Sequence, residues 1–263
     1  MLTPTEDGEL KTALKKPIRS FVSTSCETCP LRKLSSVRAF SEEEMSFIKG
    51  FKVADQELSA GTTLLHEGEN SAFVYTVRSG WAIRYKLLED GRRQVLNFVL
   101  PGDLIGLQAS LFSEMEHSVE TLTPVGVCCF PRERFLELAQ EGAGLAFDVI
   151  WLTAREEQAI SEHLLSVGQR TALERVAYVL LYLHDRLALL EKVRDGAFEA
   201  PFSQQLLADV LGLSLVHTNK TLRKLVDRGF VRWTQGTIHL VNLADLRELA
   251  CYPRRRPQRR PFL

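Results

Sequence analysis

The sequence predicts an α+β protein with an N-terminal antiparallel β-barrel, a long helix and a C-terminal winged helix-turn-helix. Three observations lead to this fold class. Regularly spaced glycines separate short strand-like runs between residues 51 and 130, one helical period runs from residue 145 to residue 168, and two short helices and a hairpin follow residue 202. Short strands separated by turn residues are typical of antiparallel barrels, and a hairpin directly after a helix-turn-helix is typical of a winged helix.

The composition is that of an ordinary globular protein. The chain has 263 residues, of which 45% are hydrophobic and 25% charged, with no net charge. No apolar run is long enough to span a bilayer and no secretory signal is visible, so we expect a cytoplasmic protein without membrane partners. From Arg170 onward there are 16 Lys and Arg against 9 Asp and Glu, whereas the preceding part is acidic. A basic C-terminal part indicates nucleic-acid binding.

The helix-turn-helix prediction starts from residues 204–225. Leu206, Leu207, Val210 and Leu211 repeat at helical spacing, which predicts a first helix from about residue 204 to residue 211. Gly212 follows, and glycine adopts the left-handed conformation that ends many helices. Ser214 then has the position of an N-cap for a second helix. In that second helix we expect Leu215, Leu222 and Leu225 to pack inward.

The second helix offers polar and basic side chains near its start, where a helix in the major groove contacts base edges. Asn219 suits adenine, Lys220 suits guanine, and Arg223 and Lys224 suit phosphates. Residues 230–233 and 238–241, with Gly236 between them, predict the hairpin of a wing. The full set of predicted DNA-binding residues is Ser214, Val216, His217, Thr218, Asn219, Lys220, Arg223 and Lys224.

The barrel prediction rests on strand-like runs between glycines at positions 61, 68, 80, 91 and 102. The runs are residues 62–66, 73–78, 81–87, 93–99 and 125–130. Residues 41–48 predict a short helix before the barrel, with Ser41 and Glu44 at capping-box spacing. After the barrel, residues 132–139 predict another short helix, and residues 171–190 predict the first core helix of the DNA-binding part.

The long helix from about residue 145 to residue 168 has an apolar stripe with steps of three and four residues, which can support a two-helix coiled coil. Packing within its own domain is the alternative. We favour a homodimer, because helix-turn-helix proteins usually contact two half-sites related by two-fold symmetry. The stripe consists of Phe147, Ile150, Ala154, Glu157, Ile160, Leu164 and Val167.

The cysteines and the C-terminal tail leave alternatives open. Cys26 and Cys29 form a CxxC pair that can share a metal, but a pair of surface thiols or a redox dithiol has the same spacing. The basic tail, residues 254–260, is predicted not to pack, and it either adds phosphate contacts or is a disordered end. The predicted segments are an N-terminal segment 1–50, a barrel 51–144, a dimerisation helix 145–169, a DNA-binding domain 170–250 and a tail 251–263.

Taken together, the barrel, long helix and winged helix resemble the Crp/Fnr family of bacterial transcription regulators over residues 26–250. The specific pieces are residues 77–80 (VRSG), 100–106 (LPGDLIG) and 212–222 (GLSLVHTNKTL). The resemblance implies a sensor barrel like a cyclic-nucleotide-binding domain and a homodimer that binds a palindromic promoter. It also implies RNA polymerase as a further partner and no enzymatic activity.

The resemblance leaves the signal open. Gly106 is followed by Leu107 and Gln108, not by the Glu-Leu of the cyclic-nucleotide branch, and residues 115–118 (MEHS) lack its arginine, so cyclic AMP is not expected. The Fnr branch holds an iron–sulfur cluster on four cysteines. Cys26, Cys29 and Cys128 match three of those positions, whereas Ser35 stands at the remaining one. Neighbouring residues on a strand face opposite sides, so Cys129 is not expected to join Cys128 at one site.

Three other classes of function are the alternatives. An enzyme is not expected, because the sequence has no GxSxG, HExxH or phosphate-cradling glycine loop. A haem-based gas sensor would use Cys128, His66 or His117 as ligands, but no CxxCH motif occurs. A regulator without any ligand would bind DNA as a colourless, metal-free protein.

Overall fold

The computed structural model describes residues 25–141, 143–253 and 259–261. Its first half is a double-sheet β-barrel, and its second half is helical with one small sheet. The strands are β1 (Ala54–Leu58), β2 (Thr63–Leu65), β3 (Phe73–Ser79), β4 (Ala82–Leu87), β5 (Arg93–Val99), β6 (Leu104–Ile105), β7 (Ser118–Thr121), β8 (Val125–Pro131), β9 (Ala197–Glu199), β10 (Val231–Thr234) and β11 (Thr237–Leu240). The helices are α1 (Glu42–Phe51), α2 (Leu107–Phe112), α3 (Glu137–Glu141), α4 (Ala143–Gln169), α5 (Ala172–Ala188), α6 (Gln204–Leu211), α7 (Leu215–Asp227) and α8 (Leu243–Leu249), with 3-10 turns at Pro30–Lys33 and Arg132–Arg134.

The barrel consists of two four-stranded antiparallel sheets. One has the order β1-β8-β3-β6 and the other the order β2-β7-β4-β5. Their inner faces enclose an apolar core that includes Val77, Val99 and Val119, each fully buried. The predicted barrel is therefore confirmed.

The strands that the sequence analysis missed are polar or very short. In β1, Asp55 and Glu57 both form ion pairs with Arg78 of β3, so charged residues occupy positions where apolar ones were expected. β6 has only two residues and β9 only three, too few for a period of two to show. β7 carries Ser118, Glu120 and Thr121 among its four residues.

Most of the predicted helices are present. The capping box between Ser41 and Glu44 is formed, and a second one between Thr171 and Glu174 begins α5. The helix predicted over residues 132–139 is wrong, because a 3-10 turn precedes a helix that begins only at Glu137. The helix α2 was not predicted.

The C-terminal tail was predicted not to pack, and at Arg260 this prediction is wrong. Arg260 is buried, with 3% of its surface exposed, and its backbone bonds to Ser36 and Arg38. Its guanidinium donates hydrogen bonds to the carbonyls of Pro101 and Gly102. Residues 254–258, which carry the remaining Arg254–Arg256 run, and residues 1–24 lie outside the described part of the chain.

Candidate DNA-binding surface and sensor region

The turn between α6 and α7 is built by local backbone chemistry. Gly212 ends α6 with φ +63°, a conformation that glycine adopts without strain. Ser214 then caps α7, since its hydroxyl accepts a hydrogen bond from the His217 amide at 3.2 Å. The cap satisfies one of the amides that every helix leaves unpaired at its start. These contacts set the direction of α7 relative to α6.

One face of α7 is exposed. Ser214, Val216, His217, Asn219, Lys220, Arg223 and Lys224 all lie on it, and Val216 is 65% exposed. Among the described residues, the side chains of Asn219, Lys220, Arg223 and Lys224 have no hydrogen bond and no ion pair with the protein. Polar groups that are paired within the chain would have to break those contacts before binding, and these four have none to break.

Two predictions for α7 need correction. Thr218 was placed among the DNA-binding residues, but it is fully buried, because its position in the helix faces α5 and α6. Leu215 was expected to pack inward, but it is 38% exposed at the first turn of the helix, whereas Leu222 and Leu225 are buried as predicted. The helix therefore offers a narrower polar face than the sequence indicated.

The wing is a small antiparallel sheet with the order β10-β11-β9. Its hairpin turn contains Gln235 at φ +49° and Gly236 at φ +76°. Two successive residues with positive φ give the tight turn that matches the twist of an antiparallel hairpin. The hairpin was predicted, but the third strand, β9, was not.

An aromatic junction joins the barrel to the helix-turn-helix. The ring of Phe202 lies 5.0 Å from that of Phe98 in β5, 6.1 Å from that of Trp81 and 5.7 Å from that of Trp233 in the wing. Beside it, Arg93 of β5 forms an ion pair of 2.8 Å with Asp209 of α6. The DNA-binding part therefore packs on the barrel through β5.

The stripe predicted on the long helix α4 is exposed. Phe147 and Ile150 are 63% and 64% exposed, Ile160 is 47% exposed and Leu164 is 72% exposed, and Ala154 and Glu157 lie on the same open face. An exposed apolar row of this length is unusual on the surface of a monomer.

The cysteines lie on two sides of β8. Cys129 is fully buried in the barrel interior, whereas Cys128 faces outward, toward the layer that contains Cys26 and Cys29. Opposite orientations were expected from strand geometry and are confirmed. The Cys128 thiol donates to Asp55 at 3.4 Å, and burial together with this carboxylate raises its pKa to about 12. Burial also raises the pKa of Cys29.

These residues do not fit a four-cysteine iron–sulfur cluster. Such clusters bind thiolates, and the Cys128 thiol instead donates a hydrogen bond to the Asp55 carboxylate. Ser35, at the position of the missing ligand, is exposed. Across the described ranges, no three Cys, His, Asp or Glu side chains converge in a way that would hold a metal ion.

A cavity of about 560 Å³ separates the barrel from α4 and α5. Its apolar wall includes Leu104, Leu107, Met115 and Leu152, and its polar wall includes Arg84, Arg155, Glu156, Tyr182 and Arg186. His117 also lines it, and burial next to Arg84 lowers the pKa of this histidine to about 4, so it is neutral at pH 7. Volumes of 300–1,000 Å³ are usual for small-molecule sites.

The charged residues that line this cavity could not be identified from the sequence. Asp103 accepts from Arg186 of α5 and lies 3.5 Å from Arg260, while Glu156 of α4 pairs with Arg84 of β4. Asp103 belongs to the LPGDLIG segment, but its partners come from positions up to 157 residues away. No sequence pattern indicates contacts of that kind.

Known protein families and structures match both halves of the chain. A cyclic nucleotide-binding domain model matches residues 55–141, and a Crp-like helix-turn-helix domain model matches residues 174–249. The nitrogen fixation regulation protein FixK of Bradyrhizobium diazoefficiens is 32% identical over 228 residues, covering 86% of this chain and 93% of the relative. The transcriptional activator protein FnrL of Cereibacter sphaeroides is 29% identical, covering 82% of this chain and 87% of the relative.

Among solved structures, FixK2 from Bradyrhizobium japonicum superposes with a TM-score of 0.66 at 30% identity, covering 74% of this chain and 96% of that one. None of the helices in the described ranges combines the length and the apolar composition that a membrane-spanning helix requires. The relatives are named as regulators of transcription and not as enzymes. From its two domain matches and its similarity to FixK over 86% of its length, the chain belongs to the Crp/Fnr family of transcription regulators.

Proposed function

We propose that the protein is a homodimeric, sequence-specific regulator whose two α7 helices occupy successive major grooves of a palindromic promoter site. The unpaired polar and basic face of α7 is the observation that supports this proposal most directly. Homodimer symmetry would place two such helices about one helical turn of DNA apart. RNA polymerase is the further partner that we propose for the promoter-bound protein.

The residues of α7 divide by their position along the helix. His217, Asn219 and Lys220 lie in its first two turns and face base edges, with Asn219 suited to adenine and Lys220 to guanine. Arg223 and Lys224 lie about one turn later and suit phosphates, as does the Ser214 hydroxyl at the start. Val216 can contact only apolar groups, such as a thymine methyl.

A second copy of this chain is the proposed occupant of the exposed stripe on α4. The helix has 27 residues and is about 40 Å long, which is enough for a parallel pair across the whole interface. Ile150, Ile160 and Leu164 supply apolar contacts at helical spacing. A dimer would also match the two half-sites that helix-turn-helix proteins usually contact.

For the signal, we propose a small molecule bound between the barrel and α4. The cavity of about 560 Å³ has a suitable size, and it touches both the barrel and the proposed dimer helix. Cyclic AMP is a poor candidate, because residues 115–118 lack the phosphate-binding arginine of the cyclic-nucleotide branch. An iron–sulfur cluster is not proposed, because the donor set does not fit one.

The DNA-contact proposal is tested with Lys220→Ala and with Lys192→Ala, an exposed lysine outside the helix-turn-helix, as the control. On a duplex selected by binding of the purified protein, Lys220→Ala should weaken the free energy of DNA binding by about 1–3 kcal/mol, which raises the Kd roughly 5- to 150-fold. Lys192→Ala should leave the Kd unchanged. On a scrambled duplex the Lys220→Ala loss should be much smaller. An equal loss on both duplexes would make Lys220 a phosphate contact, and no loss on either would remove α7 from the interface.

The dimer is tested by sedimentation of an Ile160→Asp, Leu164→Asp double variant. It should sediment as a folded monomer, because charges on the stripe oppose burial. Leu88→Asp, which alters an equally exposed leucine on the β4–β5 hairpin, should remain dimeric. A dimeric double variant would show that the stripe is not the interface.

The signal proposal is tested by anaerobic purification with an absorption spectrum and iron and sulfide assays, repeated with Cys26→Ser. A colourless protein that binds DNA equally well with and without air agrees with the proposal. A brown protein with iron and sulfide, bleached by air and lost in Cys26→Ser, would establish a cluster in spite of Ser35. A Soret band would instead indicate haem.

A further inference from the structure

The described end of the chain, residues 259–261, is bound between the barrel and the N-terminal segment. The Arg260 amide donates to the Ser36 carbonyl at 2.8 Å, and the Arg260 carbonyl accepts from the Arg38 amide at 2.8 Å. These two bonds form a parallel bridge between Val37 and Arg260. Addition of one extended segment to another is a common mode of peptide recognition, in which backbone hydrogen bonds supply affinity and side-chain pockets supply specificity.

The Arg260 side chain enters a site made of oxygen atoms at the turn before β6. Its guanidinium donates to the Pro101 carbonyl at 3.2 Å and to the Gly102 carbonyl, and it lies 3.5 Å from the Asp103 carboxylate. Two carbonyls and a carboxylate suit the fixed fork of N–H donors on a guanidinium. Only 3% of Arg260 is exposed, whereas its neighbour Arg259 is exposed. The site therefore accepts one of two adjacent arginines.

Gly102 leaves the space that the guanidinium fills. A Cβ at this position would lie 2.8 Å from Arg260 Cζ, whereas carbon atoms in contact are about 3.5–4.0 Å apart. Gly102 has φ +86°, and Gly91 in the β4–β5 hairpin has φ +84° but nothing within 4 Å of the place of its Cβ. Positive φ therefore explains both glycines, whereas close approach of a guanidinium applies only to Gly102.

The segment that receives Arg260 is itself bonded to two helices. The Ser36 hydroxyl donates to the Leu189 carbonyl just after α5 at 2.5 Å, and Arg38 forms an ion pair with Asp148 of α4. The C-terminal end of the chain therefore contacts a barrel turn and also a segment that is tied to the long helix and to the first helix of the DNA-binding part.

We propose that the turn at residues 101–103 is a guanidinium-binding site whose ligand is Arg260 of the chain's own tail, so that the tail is a latch between the DNA-binding part and the barrel. Arg260 is not one of the residues that line the cavity proposed for the signal, so the latch is a separate site. The tail carries arginines at positions 254, 255, 256, 259 and 260. Fixing its end on the barrel limits the reach of these arginines toward DNA phosphates, and release would extend that reach. This consequence rests on the proposed function, whereas occupation of the site by Arg260 does not.

Occupation is tested in the full chain, without DNA, by thermal unfolding of Arg260→Ala and of Arg259→Ala as the matched control. Arg260→Ala should lower Tm by about 5 °C or more, because it removes hydrogen bonds of a charged, buried donor, and Arg259→Ala should lower it by less than about 2 °C. N-ethylguanidinium chloride should then restore most of the lost Tm of Arg260→Ala relative to the wild-type protein in the same solution, whereas ethylammonium chloride should not. Equal Tm losses in the two variants, no recovery with N-ethylguanidinium, or equal recovery with ethylammonium would each overturn the proposal.

The contact with Gly102 gives a second test by a double-mutant cycle. Gly102→Ala and Gly91→Ala share the strain of a positive φ, so the difference between their Tm losses measures the contact with the guanidinium. Gly102→Ala should lower Tm by roughly 5 °C more than Gly91→Ala, and the two losses should become similar when Arg260→Ala is also present. An unchanged difference would show that the guanidinium does not occupy this place. If Arg260→Ala does not fold, Arg260→Lys, which keeps the charge but loses the fork, replaces it in this cycle.

DNA binding separates the latch from the proposed function. Arg260→Gln and Arg259→Gln each remove one tail arginine, but only Arg260→Gln should release the tail. We expect Arg260→Gln to bind a scrambled duplex about threefold or more tightly than Arg259→Gln does, with a steeper fall of affinity as salt rises. Equal affinities would refute the effect on DNA and leave the site in place. If the wild-type protein binds no DNA sequence selectively while N-ethylguanidinium still restores Arg260→Ala, the proposed function fails and the site stands.

Discussion

Phe202 joins three aromatic rings across the boundary between barrel and helix-turn-helix, and its replacement by alanine tests whether this junction holds the two parts together. The ring lies 5.0 to 6.1 Å from the rings of Phe98, Trp233 and Trp81. An aromatic pair contributes about 0.5–1.5 kcal/mol beyond buried area, so three pairs give roughly 1.5–4.5 kcal/mol. Phe→Ala changes in full cores cost about 3–5 kcal/mol, and Phe202 is half-buried. We therefore expect Phe202→Ala to lower the free energy of unfolding by about 3 kcal/mol.

The assay is urea unfolding followed by tryptophan fluorescence, because Trp81 lies on the barrel side of the junction and Trp233 on the wing side. The variant should show a lower midpoint, and the DNA-binding part should unfold before the barrel. Phe112→Ala removes a phenylalanine that is 66% exposed, so it should change stability by less than about 0.5 kcal/mol. If Phe202→Ala behaves like Phe112→Ala, the junction does not stabilise the arrangement and the reasoning from ring contacts is refuted.

Three further predictions concern single contacts. Asp209→Asn should lose about 1 kcal/mol of stability by releasing Arg93, and a double-mutant cycle with Arg93→Gln that shows no coupling energy would contradict this. For His117, the folded pKa of about 4 lies below the unfolded value of about 6.5, so the unfolded chain binds the extra proton and stability falls by about 3 kcal/mol as pH drops from 7 to 4. His117→Gln should flatten this dependence in urea titrations at several pH values, and an unchanged profile would assign it to other groups. Gly80→Ala should lower the free energy of unfolding by about 3 kcal/mol or more in the same titrations, because φ is +86° and the new Cβ would lie 2.2 Å from the Pro124 carbonyl oxygen. Gly91→Ala is the control, since φ is +84° but the space around it is open, and it should lower the free energy of unfolding by only about 1–2 kcal/mol. Equal losses in the two variants would exclude the clash.

The parts of the molecule that the sequence predicted well are those fixed by neighbouring residues. Gly212 and Ser214 define the turn before α7 through contacts within five residues, and both have the predicted roles. The strand β5 was predicted with its observed bounds, because Gly91 precedes it and Pro101 and Gly102 follow it as turn residues. The position of Thr218 was missed for a related reason. Its side chain is polar, and only the packing of α5 and α6 shows that it is buried.

Long-range pairing explains what the sequence could not show. β1 contains two charged residues, Asp55 and Glu57, because Arg78 of β3 pairs with both of them. Arg260 belongs to a basic tail by composition, yet the carbonyls of Pro101 and Gly102 accept hydrogen bonds from it. In each case the partner lies at least 21 residues away, so neither hydrophobic period nor local spacing contains the information.

The same long-range pairing connects the barrel to the helix-turn-helix. Asp103 sits in the barrel turn and binds Arg186 of α5, whose guanidinium also donates to the Phe98 carbonyl at 2.9 Å. Phe98 in turn contacts Phe202, just before α6. A change in charge at Asp103 would therefore act on the helix-turn-helix through Arg186, Phe98 and Phe202, and the ion pair between Arg93 and Asp209 is a second connection between β5 and α6. Both connections stabilise the packing of the DNA-binding part on the barrel, so the loss of one should be partly compensated by the other. Only the combined Phe202→Ala and Asp209→Asn changes should separate the DNA-binding part from the barrel completely.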